Sequence, residues 1–299
     1  MVTAPAAFLD PALLARIGDL SLVARTVVTG FLHGQHRSLR KGASLDFAEH
    51  RSYQPGDDLR RIDWRVYGRT NRFFIKEYEA DTNAGVVFAL DSSASMDFGS
   101  GAVTKFAYGR MLVAALAWLS QGQGDRVGLA TFTETLQEII PPNVRHLQRL
   151  LQALATTTPG GGSRLVESIG NVGVLSSRAG IVVLVTDCYD QPDAIGRAVD
   201  ALRVRRHDVI VFHVMDLAER DLPGDGDLTL EDAETGQLLP LTPAALRARY
   251  QQAVQAHTAA LQQRLSAAGA DYVRLVTSEP LDHALHAYLD ARLSRSRVR

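Results

Sequence analysis

Asp91, Ser93 and Ser95 alternate along one short turn, an acid followed by two spaced hydroxyls. They follow Val86-Val87-Phe88-Ala89-Leu90, an apolar run led in by Gly85. A tight loop can aim the three oxygens at one point while Ser92 and Ala94 face elsewhere. That pattern suits a hard cation, because Mg²⁺ takes oxygen ligands at about 2.0–2.1 Å in near-octahedral geometry and keeps several waters. The same residue types also serve a plainer purpose. Asp and Ser are favoured helix N-caps, and a helical pattern follows, so the turn by itself leaves capping and cation binding both open.

A second carboxylate repeats the theme. Ile181-Val182-Val183-Leu184-Val185-Thr186-Asp187 is another apolar run that ends in an acid. Two neighbouring parallel strands that both end in Asp bring those acids together, as sequential β-α-β units commonly do. Between them lies Gly160-Gly161-Gly162-Ser163, a glycine-rich turn that can press a hydroxyl against an adjacent loop. It is not a phosphate loop, since the lysine that follows the last glycine of that motif is missing. Asp91, Ser93, Ser95, Ser163 and Asp187 together make an all-oxygen constellation with few residues to spare.

The elements that must position these residues follow from hydrophobic period. Unbroken apolar runs of this length read as strands buried on both faces of a parallel sheet, whose C-terminal ends are where such sheets place ligands. From Asn83 onward strand and helix alternate. Helices are expected over Lys105–Ser120, Val144–Leu154, from Leu165, over Ile195–Val204, Pro243–Ser266 and Glu279–Leu293. Strands are expected over Arg126–Thr133, Thr135–Ile140, His207–Val214 and Asp271–Thr277. Pro141-Pro142 is expected to end the second of these, an edge strand. Leu228–Leu230 and Gln237–Pro240 predict a hairpin. Asp216 reads as a cap, and His207 and His213 as structural groups on a strand. The fold class is therefore α/β, with a doubly wound, mostly parallel sheet and an N-terminal extension over residues 1–82. Residues 83–299 form the main domain, with the hairpin inserted near 227–240.

The extension differs in kind. Residues 10–29 carry a helical or broken-helical apolar pattern, Gly30 to Lys41 reads as a mobile loop, and Arg72 to Tyr78 as a strand. Residues 42–65 crowd charges around the Pro55-Gly56 turn. From 31 to 82 there are ten Lys and Arg against eight acids, a near balance that favours ion pairs or protein docking over phosphate binding, which gains from uncompensated cations.

Composition excludes several classes. The 299 residues are 46% hydrophobic with a formal net charge of −1, enough for one large core plus an appendage and without global attraction to nucleic acid or anionic lipid. The one cysteine, Cys188, rules out an internal disulfide and fits a reducing compartment. No apolar run reaches the roughly 18 residues of a membrane span, and Met1–Phe8 lack the pattern of a secretion signal. The expected location is the cytoplasm. Gly-x-Ser-x-Gly is missing, no histidine lies near the motifs to act as base, and no second acid follows Asp91 two residues on.

Residues 83–293 resemble a von Willebrand factor type A (vWA) domain, whose metal-ion-dependent adhesion site (MIDAS) has the form Asp-x-Ser-x-Ser, then Thr, then Asp. Asp91, Ser93 and Ser95 match the first part and Asp187 the last. Ser163 falls where the Thr would sit, with Thr158 as a rival, and Cys188 stands where glycine is common. Arg51-x-Tyr53-x-Pro55-Gly56-Asp57-Asp58-x-Arg60-x-Ile62-Asp63-Trp64, with Tyr78-Glu79 and Asp91-x-Ser93-x-Ser95-Met96, further resembles the domain of unknown function 58 family over about residues 12–293. This resemblance implies a MoxR-type AAA+ ATPase partner, in systems thought to remodel proteins or insert metal cofactors. The membrane tethering of many members is not carried over. The expectation is a protein-interaction module, not an enzyme, in which Mg²⁺ (or Mn²⁺) at these five residues accepts a partner's carboxylate. The alternatives are a scaffold with an empty site and a metal-assisted hydrolase.

Overall fold

The computed structural model describes residues 10–38, 50–52, 74–76, 84–175, 179–224, 226, 228–233 and 236–296. A six-stranded sheet forms its centre. It contains β3 (Gly85–Asp91), β4 (Arg126–Phe132), β5 (Leu136–Asn143), β6 (Ile181–Thr186), β7 (Asp208–Met215) and β10 (Asp271–Val276), in the order β10-β7-β6-β3-β4-β5. Every pairing is parallel except β4 with β5. Two short antiparallel ladders lie apart from it. One pairs β1 (His50–Ser52) with β2 (Phe74–Lys76), and the other pairs β8 (Leu228–Glu231) with β9 (Leu238–Leu241) as the expected hairpin.

β3 and β6 are buried along their whole lengths. Strands covered on both faces need no polar alternation, which is why they appear in the sequence as continuous apolar runs. Helices supply the cover. On one face α2 (Leu20–Ser38), α3 (Lys105–Gly122), α4 (Leu147–Thr156) and α9 (Asp282–Ser296) share a core with Phe88, Leu90, Val183 and Phe212. On the other, α5 (Leu165–Val172), α6 (Pro192–Val204) and α8 (Pro243–Ala267) pack on Val87, Ala89, Val182 and Leu184. α1 (Pro11–Leu14) and α7 (Leu217–Asp221) complete the described helices.

Three expectations require correction. The segment from Gly30 is not a loop, because α2 runs unbroken to Ser38. Val23, Val27 and Phe31, each four apart and buried, hold one face of that helix in the core, and packing of an apolar face outweighs the weak helix propensity of Gly30 and Gly34. Nor do Pro141-Pro142 end β5, which continues to Asn143. As an edge strand with shifted register it tolerates residues that cannot donate to a ladder. Gly128 makes room for it, since a Cβ there would lie 2.6 Å from the Ile140 carbonyl oxygen and 2.8 Å from the Pro142 nitrogen. His213 lies on β7, whereas His207 stands one residue before it. The charged segment 42–65 and the Tyr78-Glu79 pair fall outside the described residues, except for His50–Ser52.

Candidate metal centre

The strand order decides which loops meet. β3 is flanked by β4 on one side and β6 on the other, so the chain leaves β3 in one direction and later returns beside it from the other. That is a topological switch point, where a crevice opens beyond the carboxyl ends of the strands. Leu90 pairs with Val185 in register, which carries Asp91 alongside Thr186 and brings Asp187 to the same rim.

The first loop is held from below. The Ser92 backbone N–H and hydroxyl both donate to the Phe132 carbonyl, at 2.8 and 3.0 Å. Asp91 is buried, 1% exposed. Its Oδ1 accepts from the Ser93 N–H at 3.0 Å and the Ser93 hydroxyl at 2.7 Å, and its Oδ2 accepts from the Thr186 hydroxyl at 2.8 Å. The Ser93 and Ser95 hydroxyl oxygens are 3.1 Å apart. Capping does not account for this turn. Ser93 makes no side-chain cap to the short 3₁₀ turn Ala94–Asp97 that follows, and α3 is capped by Thr104, whose hydroxyl accepts from the Ala107 N–H.

The glycine-rich loop docks on this turn through its backbone. The Gly160 N–H donates to the Ser92 carbonyl, and the Ala94 N–H donates to the Gly161 carbonyl, both at 2.9 Å. Gly161 adopts φ +74°, a conformation open to glycine at no steric cost. Ser163, Ser95 and Asp187 then line one cavity of about 830 Å³. Thr158, the rival for the second-loop hydroxyl, is exposed and is not among the residues lining that cavity.

Asp187 is 4% exposed, and here the structure adds residues that sequence reasoning missed. Lys105, on the first turn of α3 and wholly buried, donates from Nζ to Asp187 Oδ2 at 2.9 Å and to Glu219 Oε1 at 2.6 Å. The Tyr189 ring lies 4.7 Å from the ammonium. Burial works against the Lys105 charge, but Asp187 and Glu219 more than offset it and hold its pKa above the ordinary value. Glu219 sits on α7, where it completes a capping box with Asp216. Asp216 does more than cap. It also accepts from the Ser100 N–H and hydroxyl and from the Thr277 hydroxyl, tying three segments beside the crevice. Thr186 was missed as well, although it is the hydroxyl that bonds Asp91. Cys188, in the left-handed region at φ 56°, supplies the turn for which glycine is the easier residue. Its N–H donates to the Thr186 hydroxyl, and its carbonyl accepts from His257 Nε2.

The electrostatics fit a cation. Burial first, and then the negative charge of Asp187, push the Asp91 carboxyl up to about 6 against the hydrogen bonds from Ser93 and Thr186. With all three ionised, Asp187 and Glu219 at the Lys105 ammonium and Asp91 beside Asp187 leave a net −2. Among the described residues no cluster of three or more His, Cys, Asp and Glu is arranged to hold a metal. An ion held here would depend on the serine hydroxyls for most of its protein ligands, a donor set of the oxygen-only kind that Mg²⁺ and Mn²⁺ take.

Fold and crevice together define a doubly wound α/β protein with an acid- and hydroxyl-lined site at its switch point. The chain belongs to the family described as protein of unknown function DUF58, whose model matches residues 49–260. It is 31% identical over 274 residues to an uncharacterised protein of Mycobacterium tuberculosis, covering 90% of this chain and 86% of that one. Among solved structures it is similar to the conserved hypothetical protein BatB from Bacteroides thetaiotaomicron, at TM-score 0.48 and 18% identity over 72% of this chain and 98% of that one. It is also similar to the SpRpn10 VWA domain, at TM-score 0.43 and 12% identity over 68% of this chain and 94% of that one. Among the described residues no helix is long and apolar enough to cross a membrane.

Proposed function

We propose that this protein is a cation-dependent protein-interaction module in which Mg²⁺, or Mn²⁺ in its place, is held by Ser93, Ser95 and Ser163, with Asp91 and Asp187 binding directly or through water. The observation that carries the reading is the net −2 of a buried cluster bordered by those hydroxyls, because uncompensated buried charge is costly and a divalent ion removes it. When bound, the ion supplies an electrophilic coordination position for a carboxylate of a client or partner. The chain's own residues hold that position. Asp91 fixes the Ser93 hydroxyl, Thr186 fixes Asp91, and the Gly160–Gly162 backbone holds Ser163 at the cavity.

Family membership and the resemblance set out above favour a MoxR-type AAA+ ATPase as the partner, in protein remodelling or metalloprotein assembly. A hydrolytic role has less support, since among the described residues no histidine, the commonest general base, lines the cavity that Ser95, Ser163 and Asp187 share. A free, buried Cys188 agrees with a cytoplasmic setting.

Isothermal titration of Mg²⁺ into chelator-treated protein tests the reading. The parent should bind, and an Asp91→Ala/Ser93→Ala double variant should bind at least about tenfold more weakly, one lost ligand costing that much or more. A variant that binds like the parent overturns the site. Recovery from native lysate of a AAA+ ATPase in Mg²⁺ but not in chelator supports the partner, and equal recovery in both removes the metal from that contact.

A further inference from the structure

We infer that Lys105 is a built-in monovalent cation that sets the charge of the ion this site accepts. The inference rests on the cation-site reading above and goes past it, to why the site takes a divalent ion and which residue decides that. Lys105 is the one charged residue among the buried residues of α3, and its ammonium is fully enclosed. Placing a lysine there has a large desolvation cost unless its charge is used.

The geometry shows that use. Nζ bridges Asp187 on the sheet side and Glu219 on α7, at 2.9 and 2.6 Å, while Tyr189 faces it from the cavity. The ammonium occupies one oxygen of Asp187, Oδ2, and engages nothing on Asp91, Ser93 or Ser95 among its hydrogen bonds. Glu219 is in turn fixed through its other oxygen, which accepts the Asp216 N–H at 2.9 Å. Three carboxylates would ask for a charge of +3. One ammonium, covalently attached and unable to leave, reduces the demand to +2. The bridge also links the crevice to α7, so the position of that helix is felt at Asp187.

Charge counting gives an order that a purely structural lysine would not produce. Lys105→Met leaves the cluster at −3, Glu219→Gln at −1, and the double variant returns it to −2. Mg²⁺ affinity, measured by calorimetry on the full chain, should therefore be tightest for Lys105→Met and weakest for Glu219→Gln. Each should differ from the parent by at least about fivefold, as expected for unit charges a few ångströms from the ion at partial screening, with the double variant within about threefold of the parent. Tb³⁺, followed by luminescence sensitised through the cavity tyrosines, should gain more than Mg²⁺ does in Lys105→Met. If Lys105→Met does not fold without metal, the double variant, which removes the ammonium together with its Glu219 partner, still tests the order against Glu219→Gln. A parent that binds Mg²⁺ while Lys105→Met binds it equally or more weakly overturns the role of Lys105 and leaves the site standing. No binding by the parent or any variant overturns both.

Discussion

The Lys105 ammonium lies 2.9 Å from Asp187 Oδ2 at the floor of a crevice where Asp91, from a different strand, is already pressed toward protonation by burial and then by the same Asp187 charge. The pair ties the loop after β6 to α3, and its removal should be felt in the fold.

Breaking a buried ion pair by deleting one partner strands the other, at a cost of about 3–5 kcal/mol. Lys105→Met in chelator should lose stability of that order in urea unfolding, and adding Glu219→Gln should restore part of it. A loss below about 1 kcal/mol would show that the pair is solvated and structurally idle.

Thr186→Val keeps the shape of the side chain and removes the donor to Asp91 Oδ2 and the acceptor for the Cys188 N–H. Leaving buried groups unsatisfied costs about 1–3 kcal/mol, so urea midpoints should fall accordingly. Because one hydrogen bond that favours ionised Asp91 is gone, Mg²⁺ binding at pH 6 should weaken more than at pH 8. Equal weakening at both values would detach Thr186 from the Asp91 charge.

Asp91 predicts a definite sign for pH. Its folded value of about 6 lies above its ordinary 3.8, so the folded state binds the proton more tightly than the unfolded chain does. Its contribution to stability is fully present below about pH 4 and is lost as pH rises through 6. The difference corresponds to about 3 kcal/mol. In chelator, Asp91→Asn should therefore gain on the parent by about that amount between pH 4 and pH 7, measured as the difference of unfolding free energies. The opposite slope would mean that Asp91 is stabilised as a carboxylate without metal. Since a metal ligand must be deprotonated, parent Mg²⁺ affinity should also fall below about pH 6.

Gly161→Ala isolates the second loop. The residue sits at φ +74°, and a Cβ added there would meet no atom within 4 Å, so the cost is conformational, about 1–2 kcal/mol. Strain at Gly161 acts on the backbone bond that joins this loop to Ala94. Mg²⁺ affinity should drop alongside stability. Unchanged affinity would separate Ser163 from the site.

Much of this was legible in the chain itself. Buried parallel strands leave continuous apolar runs, and Val86–Leu90 and Ile181–Val185 displayed them with an acid at each end, so the convergence of Asp91 and Asp187 followed from strand adjacency. Lys105 left no such mark, because a lysine at a helix start looks solvated until the fold encloses it. Glu219 gave a faint signal, as the third residue after Asp216 in a capping-box spacing, but nothing in that spacing points toward a lysine more than a hundred residues earlier. The continuation of α2 through Gly30 and of β5 through Pro141-Pro142 were tertiary outcomes, decided by the core beneath the helix and by the free edge of the sheet.

Whether three loops distant in sequence serve one cation is tested most directly by anomalous diffraction from crystals equilibrated with Mn²⁺. A single strong peak is expected in the crevice, within coordination distance of the Ser93, Ser95 and Ser163 hydroxyls, with Asp187 still bridged to Lys105. No peak at saturating Mn²⁺, or one that those hydroxyls do not reach, would contradict it.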